Sequence, residues 1–325
     1  MNPFAYRRVD TMQAAFDALA SQPGARFIAG GTNILDLMKA TVEKPPLLVD
    51  INRLGLATIE SHEGGLVVGA LARMSDVARD SRVRSAYPMV SIALEQSASP
   101  QLRNMASIGG NLLQRTRCPY FRDPATPCNK RAPGTGCGAI GGVNRMEAVL
   151  GTSRHCIAAH PSDLAVTLVA LDAVVNLASP RGQRDVHARE FFLEPGETPQ
   201  REYAIEPDEM IVSVTLPALG FASRSTYVKA RDRAQYEFAL ASAAVAIDIR
   251  GGRIANARIA LGGVGTVPWH VPAAEAKLAG AAPNEESFAA AADAALKGAV
   301  GRGQNDFKIP LAKRTLIAAL REVSA

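Results

Sequence analysis

Hydrophobic positions along this chain change period repeatedly. Met12, Ala15, Phe16 and Leu19 recur at helical spacing behind Thr11, an N-cap residue, and Pro23-Gly24 ends the run. A short apolar strand over 26–29 then leads through Gly30-Gly31-Thr32-Asn33 into a helix over 34–38, and 47–51 reads as a buried strand. Next come a strand over 66–68, a helix capped by Ser75 and a helix over 87–97. From Arg115 to Gly142 periodicity vanishes. That stretch holds four prolines and five glycines, and a structureless run of such length inside a compact domain is usually functional. Order returns with Ile157-Ala158, a helix over 163–171 and strands around Val174 and Val186 joined at Pro180-Arg181-Gly182. Ile211 belongs to a strand that runs up to a boundary at 217–222. Beyond it the pattern predicts strands over 225–230, 243–250 and 254–261, then helices over 273–279, 285–297 and 311–323. The order predicts an α+β fold in two parts, 1–218 and 222–325.

Composition narrows the class. The 325 residues carry 36 Lys and Arg against 31 Asp and Glu, a modest excess spread along the chain with few aromatics. A nucleic-acid binder concentrates its basic residues, so that class is excluded. The most apolar stretch, Leu164 to Ala178, is broken by Asp172 and Asn176 and too short for a bilayer. Arg7-Arg8 is followed by Val9-Asp10-Thr11 and no apolar core, so the chain is expected to carry no export signal or membrane anchor.

Three features bear on chemistry. Gly30-Gly31-Thr32-Asn33 joins a strand to a helix, where two glycines let the backbone approach a ligand and successive N–H groups suit a phosphate. Alone, such a turn is more often only a turn, and it matches neither the dinucleotide fingerprint nor the P-loop. Ser107-Ile108-Gly109-Gly110-Asn111 has the same character, and two such turns point to one shared dinucleotide. The third feature is the cysteines: all four fall at 118, 128, 137 and 156, with no C-x-x-C pair. Four thiolates in an irregular loop suit an iron–sulfur cluster and zinc equally, with free thiols as a third reading. Arg115, Arg117, Arg122, Lys130 and Arg131 crowd that loop beside a single acid, Asp123, and would offset the negative charge of a thiolate-bound metal. His160-Pro161-Ser162-Asp163 reads first as a helix cap, and Lys229 as part of an exposed sheet edge. No catalytic triad or carboxylate pair stands out.

Taken together and in order, Phe27 to Ile34, Ser107 to Asn111, His160 to Asp163, Tyr227 to Lys229 and Leu261 to Gly265 resemble the FAD-binding medium subunits of the molybdenum hydroxylases, the xanthine and carbon monoxide dehydrogenase family. The cysteine insert looks most like that of the periplasmic aldehyde oxidoreductases. The resemblance implies a two-part FAD-binding domain (PCMH-type) followed by a smaller α+β domain of the CO dehydrogenase flavoprotein type. It implies FAD held by Arg26, Phe27, Ile28, Ala29, Gly30, Gly31, Thr32, Asn33 and Ile34, by Ser107, Gly110 and Asn111, and by Asp163, Ile211 and Lys229. It also shifts Cys118, Cys128, Cys137 and Cys156 from zinc toward a [4Fe–4S] cluster. The implied partners are a large molybdenum-cofactor subunit and a small subunit with two [2Fe–2S] clusters, with an external electron acceptor. Such a heterotrimer would oxidise an aldehyde to a carboxylate, in a periplasm reached through a signal-bearing partner. The alternatives are the flavin subunit of a cytoplasmic aromatic CoA-ester reductase and, more distantly, a zinc-bearing nucleotide-binding protein.

Overall fold

The computed structural model describes all 325 residues and contains three sheets. The first is parallel, in the order β1–β3–β2, from Ala5–Arg8, Leu47–Asp50 and Arg26–Ile28. Strand β1 has every side chain exposed, so no alternation marks it in the sequence; backbone pairing to β3 recruits it, with Tyr6 and Arg8 donating to Asp50 of β3. Helix Met12–Ala20 buries Ala15, Phe16 and Ala18 against Leu47, Val49 and Ile51, and the Thr11 hydroxyl caps it by accepting from Ala14 N.

The second sheet is antiparallel, from β4 (Ile59–His62), β5 (Gly65–Gly69), β6 (Val174–Ser179), β7 (Gly182–His187) and β8 (Met210–Leu216), ordered β4–β5–β8–β6–β7. The helix expected to be capped by Ser75 runs Met74–Arg79 with Arg73 at its cap, so Ser75 lies inside it. The third sheet joins β9 (Ser225–Ala230), β10 (Ala241–Arg250), β11 (Arg253–Gly262) and the two-residue β12 (Trp269–His270) in the order β12–β11–β10–β9. Strand β10 is apolar on both faces because both are covered. Ala244 and Ala246 face the largest core beneath helices Pro88–Gln96 and Asp163–Ala170. Ala243, Val245 and Ile247 face a separate core closed by helices Pro272–Leu278, Glu285–Ala295 and Lys308–Ser324.

The loop between the second glycine turn and helix Asp163–Ala170 has a small core of its own. All four cysteines pack there with Phe121, Ala139, Ile157 and Leu37, the last contributed by helix Ile34–Lys39.

Candidate functional site

The two glycine turns share one cleft. Gly31 has φ 74°, a region that residues with a Cβ seldom enter. A Cβ on Gly30 would lie 1.9 Å from the Met105 carbonyl oxygen, so the first turn packs backbone on backbone against the approach to the second. There Ser107 caps the short helix Ile108–Leu112, its hydroxyl accepting from Gly110 N at 3.3 Å. The cleft between them, about 510 Å³, is lined by Arg26, Phe27, the run from Ala29 to Ile34, Ser107, Gly110 and Ile211. Ile28 is absent from the wall. Asn33 accepts from Arg115 N through Oδ1 at 3.2 Å, while its Nδ2 is buried without any partner. A buried donor left open at the wall of a cleft fits an acceptor-rich ligand such as a pyrophosphate.

Asp163 sits at the first position of its helix, beneath Ser162, whose hydroxyl accepts from Ala165 N at 3.0 Å. Its Oδ1 accepts from the Tyr227 hydroxyl at 2.6 Å, and its Oδ2 from Lys229 Nζ at 2.7 Å and the Ser97 hydroxyl at 3.0 Å. Burial and the adjacent Asp163 push the Tyr227 phenol far above its usual range. Lys229 corrects the sequence reading. Although β9 is an edge in hydrogen-bonding terms, helix Pro88–Gln96 packs over it, and the Lys229 side chain is only 1% exposed. Asn111 turns away from the cleft and accepts from the Ser162 hydroxyl at 2.6 Å, which ties the second turn to the Asp163 helix.

Asp163 lines a second cavity, about 250 Å³, together with Arg117, Cys118 and His160. His160 Nδ1 accepts from Ser162 N at 3.3 Å, which leaves the ring hydrogen on Nε2, a buried atom with no partner. Burial, with Lys130 nearby, depresses the imidazole to about 3, so it stays neutral. Arg117 Nε is a second buried donor without a partner. The motif spacing singled out neither atom, because each is stranded by its tertiary neighbours.

All four predicted cysteines ring one small cavity with Lys130 and Phe121, and Cys128 and Cys137 face each other across an antiparallel bridge. All four are free thiols. No three His, Cys, Asp or Glu side chains gather as they must around a single ion. Burial and the neighbouring Glu147 push the Cys118 thiol far up, and burial lifts Cys156 to about 11 against the pull of Lys130. The loop's basic residues behave differently from the sequence reading. Arg117 and Arg122 pair with Asp36 at 3.3 and 2.6 Å, Arg115 with Glu43 at 2.8 Å and with Glu202, and Lys130 with Glu202 at 2.9 Å. Arg131 donates instead to the Tyr120 and Phe121 carbonyls. Acids outside the loop thus answer most of its positive charge, and these residues brace the loop.

Comparison with known proteins decides the family. Residues 2–219 match the FAD binding domain in molybdopterin dehydrogenase, and residues 225–323 match the CO dehydrogenase flavoprotein C-terminal domain. The chain belongs to the FAD-binding medium subunits of the molybdenum hydroxylases. It is 48% identical to the aldehyde oxidoreductase FAD-binding subunit PaoB of Escherichia coli (strain K12), over 100% of this chain and 99% of that protein. The glyceraldehyde dehydrogenase medium chain of Sulfolobus acidocaldarius is 28% identical, over 87% of this chain and 83% of its own length. Among solved structures, the carbon monoxide dehydrogenase of Hydrogenophaga pseudoflava lacking the Mo-pyranopterin moiety superposes with a TM-score of 0.78 at 27% identity, covering 100% and 99% of the two chains. Membership in this medium-subunit family sets aside the zinc-bearing nucleotide-binding alternative. No helix is long and apolar enough to cross a membrane.

Proposed function

We propose that this medium subunit is the electron-transfer flavoprotein of a heterotrimeric molybdenum-containing aldehyde oxidoreductase. The observation that carries the reading is the 48% identity, end to end, with an aldehyde oxidoreductase FAD-binding subunit. FAD, when bound, supplies the step between two-electron and one-electron carriers. Electrons released as a partner converts aldehyde and water to carboxylate would arrive through [2Fe–2S] clusters on a small subunit and leave to an external acceptor. This chain's own residues bind and orient. The two glycine turns present backbone N–H groups and the open Asn33 Nδ2 to the pyrophosphate, and Ile211 closes the cleft beside them. Asp163, paired with Lys229 at 2.7 Å, would accept from hydroxyls on the flavin side chain.

Cys118, Cys128, Cys137 and Cys156 are proposed as ligands of a [4Fe–4S] cluster. Their common cavity supports a shared metal centre. A [4Fe–4S] cluster would take one thiolate on each of its four irons, and the metal assays below separate it from zinc. The proposed compartment is the periplasm, entered with a signal-bearing partner.

The test is an absorbance spectrum with flavin, iron and zinc assays on the purified complex, followed by anaerobic addition of an aromatic aldehyde. Bound FAD, about four irons assigned to this chain and aldehyde-dependent bleaching of the flavin band are expected. A complex without flavin, or one whose flavin ignores aldehydes, would sink the reading, and one zinc in place of iron would sink the cluster.

A further inference from the structure

The two glycine turns are joined by a chain of side-chain hydrogen bonds that no sequence motif marks. Asn52 Nδ2 donates to the carbonyl of Ala29, the residue before Gly30, at 3.0 Å. Asn52 Oδ1 accepts from Arg73 Nη2 at 2.9 Å, and Arg73 Nη1 donates to the Met105 carbonyl at 2.6 Å. That carbonyl is the one on which Gly30 rests. Asp50 fixes the Asn52 end, accepting from Asn52 N at 2.9 Å and Nδ2 at 2.6 Å. The other end is fixed by the backbone, since Arg73 forms a bridge with Ser107 and flanks Ala72 and Met74, which bond to Ile108 and Ala106. Arg73 forms no ion pair with any carboxylate, so a whole guanidinium charge stands where the two turns meet.

We propose that Asn52 and Arg73 are positioning residues that set the spacing of the two turns for a pyrophosphate. The inference rests on the FAD reading above. Without this link the turns would be left with the Gly30–Met105 packing and the Asn33–Arg115 hydrogen bond beyond it, and small shifts of either would misalign both sets of N–H donors. Arg73 acts through the Met105 carbonyl and through its field. Neither Arg73 nor Asn52 lines the cleft.

Equilibrium binding of FAD and of ADP to the flavin-stripped complex tests this. Both ligands carry the pyrophosphate, and only one carries a flavin. Arg73→Ala is expected to weaken both by a similar factor of tenfold or more, the scale of a lost charged hydrogen bond. Arg73→Lys should recover part of the loss through its charge. Asn52→Ala should weaken both ligands less, and the double variant should be no weaker than Arg73→Ala, since the two residues form one chain. FAD weakened with ADP unchanged would overturn the proposal, as would strictly additive losses or unaltered binding in every variant. Should Arg73→Ala fail to fold, Arg73→Lys and Asn52→Ala still decide. Wild-type complex that binds neither ligand would instead defeat the FAD reading itself.

Discussion

The glycine turns and the cysteine loop both serve the proposed redox role, yet they are built on opposite principles. The turns are short, end regular elements and are shaped by backbone: Gly31 at positive φ, Gly30 against a carbonyl, Ser107 capping its own helix. The loop has little regular structure beyond the short helix Pro119–Arg122 and is held from outside by Asp36, Glu43 and Glu202. A backbone-built site leaves a mark in the sequence, because only particular residues permit its geometry. A side-chain-braced loop leaves only its cysteines, because its carboxylate partners lie on other segments.

The comparison breaks most sharply at the cysteines. Cys156→Ser is expected to abolish iron and acid-labile sulfide in this chain and to lower its stability by several kcal/mol, since a buried cluster and its loop form together. Iron content and the thermal midpoint check this; retained iron would show that Cys156 is no ligand. Gly30→Ala comes next. Its Cβ collides with the Met105 carbonyl, so a cost of about 3 kcal/mol and loss of most bound FAD are expected, read by denaturant unfolding and flavin content.

Acid should loosen the first region through Asp50. Burial pushes its carboxyl up, but hydrogen bonds from Tyr6, Asn52 and Arg8 prevail and hold it at about 2, below an ordinary 3.8. A group whose folded value is depressed stabilises above its unfolded value and loses that contribution as pH falls through its folded value. The fold should therefore lose about 2 kcal/mol between about pH 4 and about pH 2, and Asp50→Asn should flatten this part of a stability-against-pH curve. The smallest effect is expected at Asp36, which is 45% exposed. Asp36→Asn should cost about 1 kcal/mol and raise the exchange of loop amides while leaving FAD content unchanged. A loss of FAD there would show that the two regions are coupled.

Much of the site was legible. The turns and the helix that begins at Asp163, like the strands predicted over 243–250 and 254–261, follow from glycine, capping and alternation signals that act over a few residues. Less was legible where partners come from afar. Lys229 looked like an exposed edge because its strand is polar at that point, and only the helix packed over it makes it the buried counter-ion of Asp163. Strand β1 shows no alternation, and Ser75 lies inside the helix it was expected to cap.

The sequence by itself determined the two glycine turns, the spacing of the cysteines and the strand-then-helix order of the C-terminal part, since each is a local choice of backbone conformation or periodicity. Tertiary structure alone decided which charges meet: Asp36 with Arg117 and Arg122, Asp163 with Lys229, Arg73 with the Met105 carbonyl. Hydrogen bonds and ion pairs act over a few ångströms of space, and those ångströms separate residues 32 to 86 positions apart along the chain.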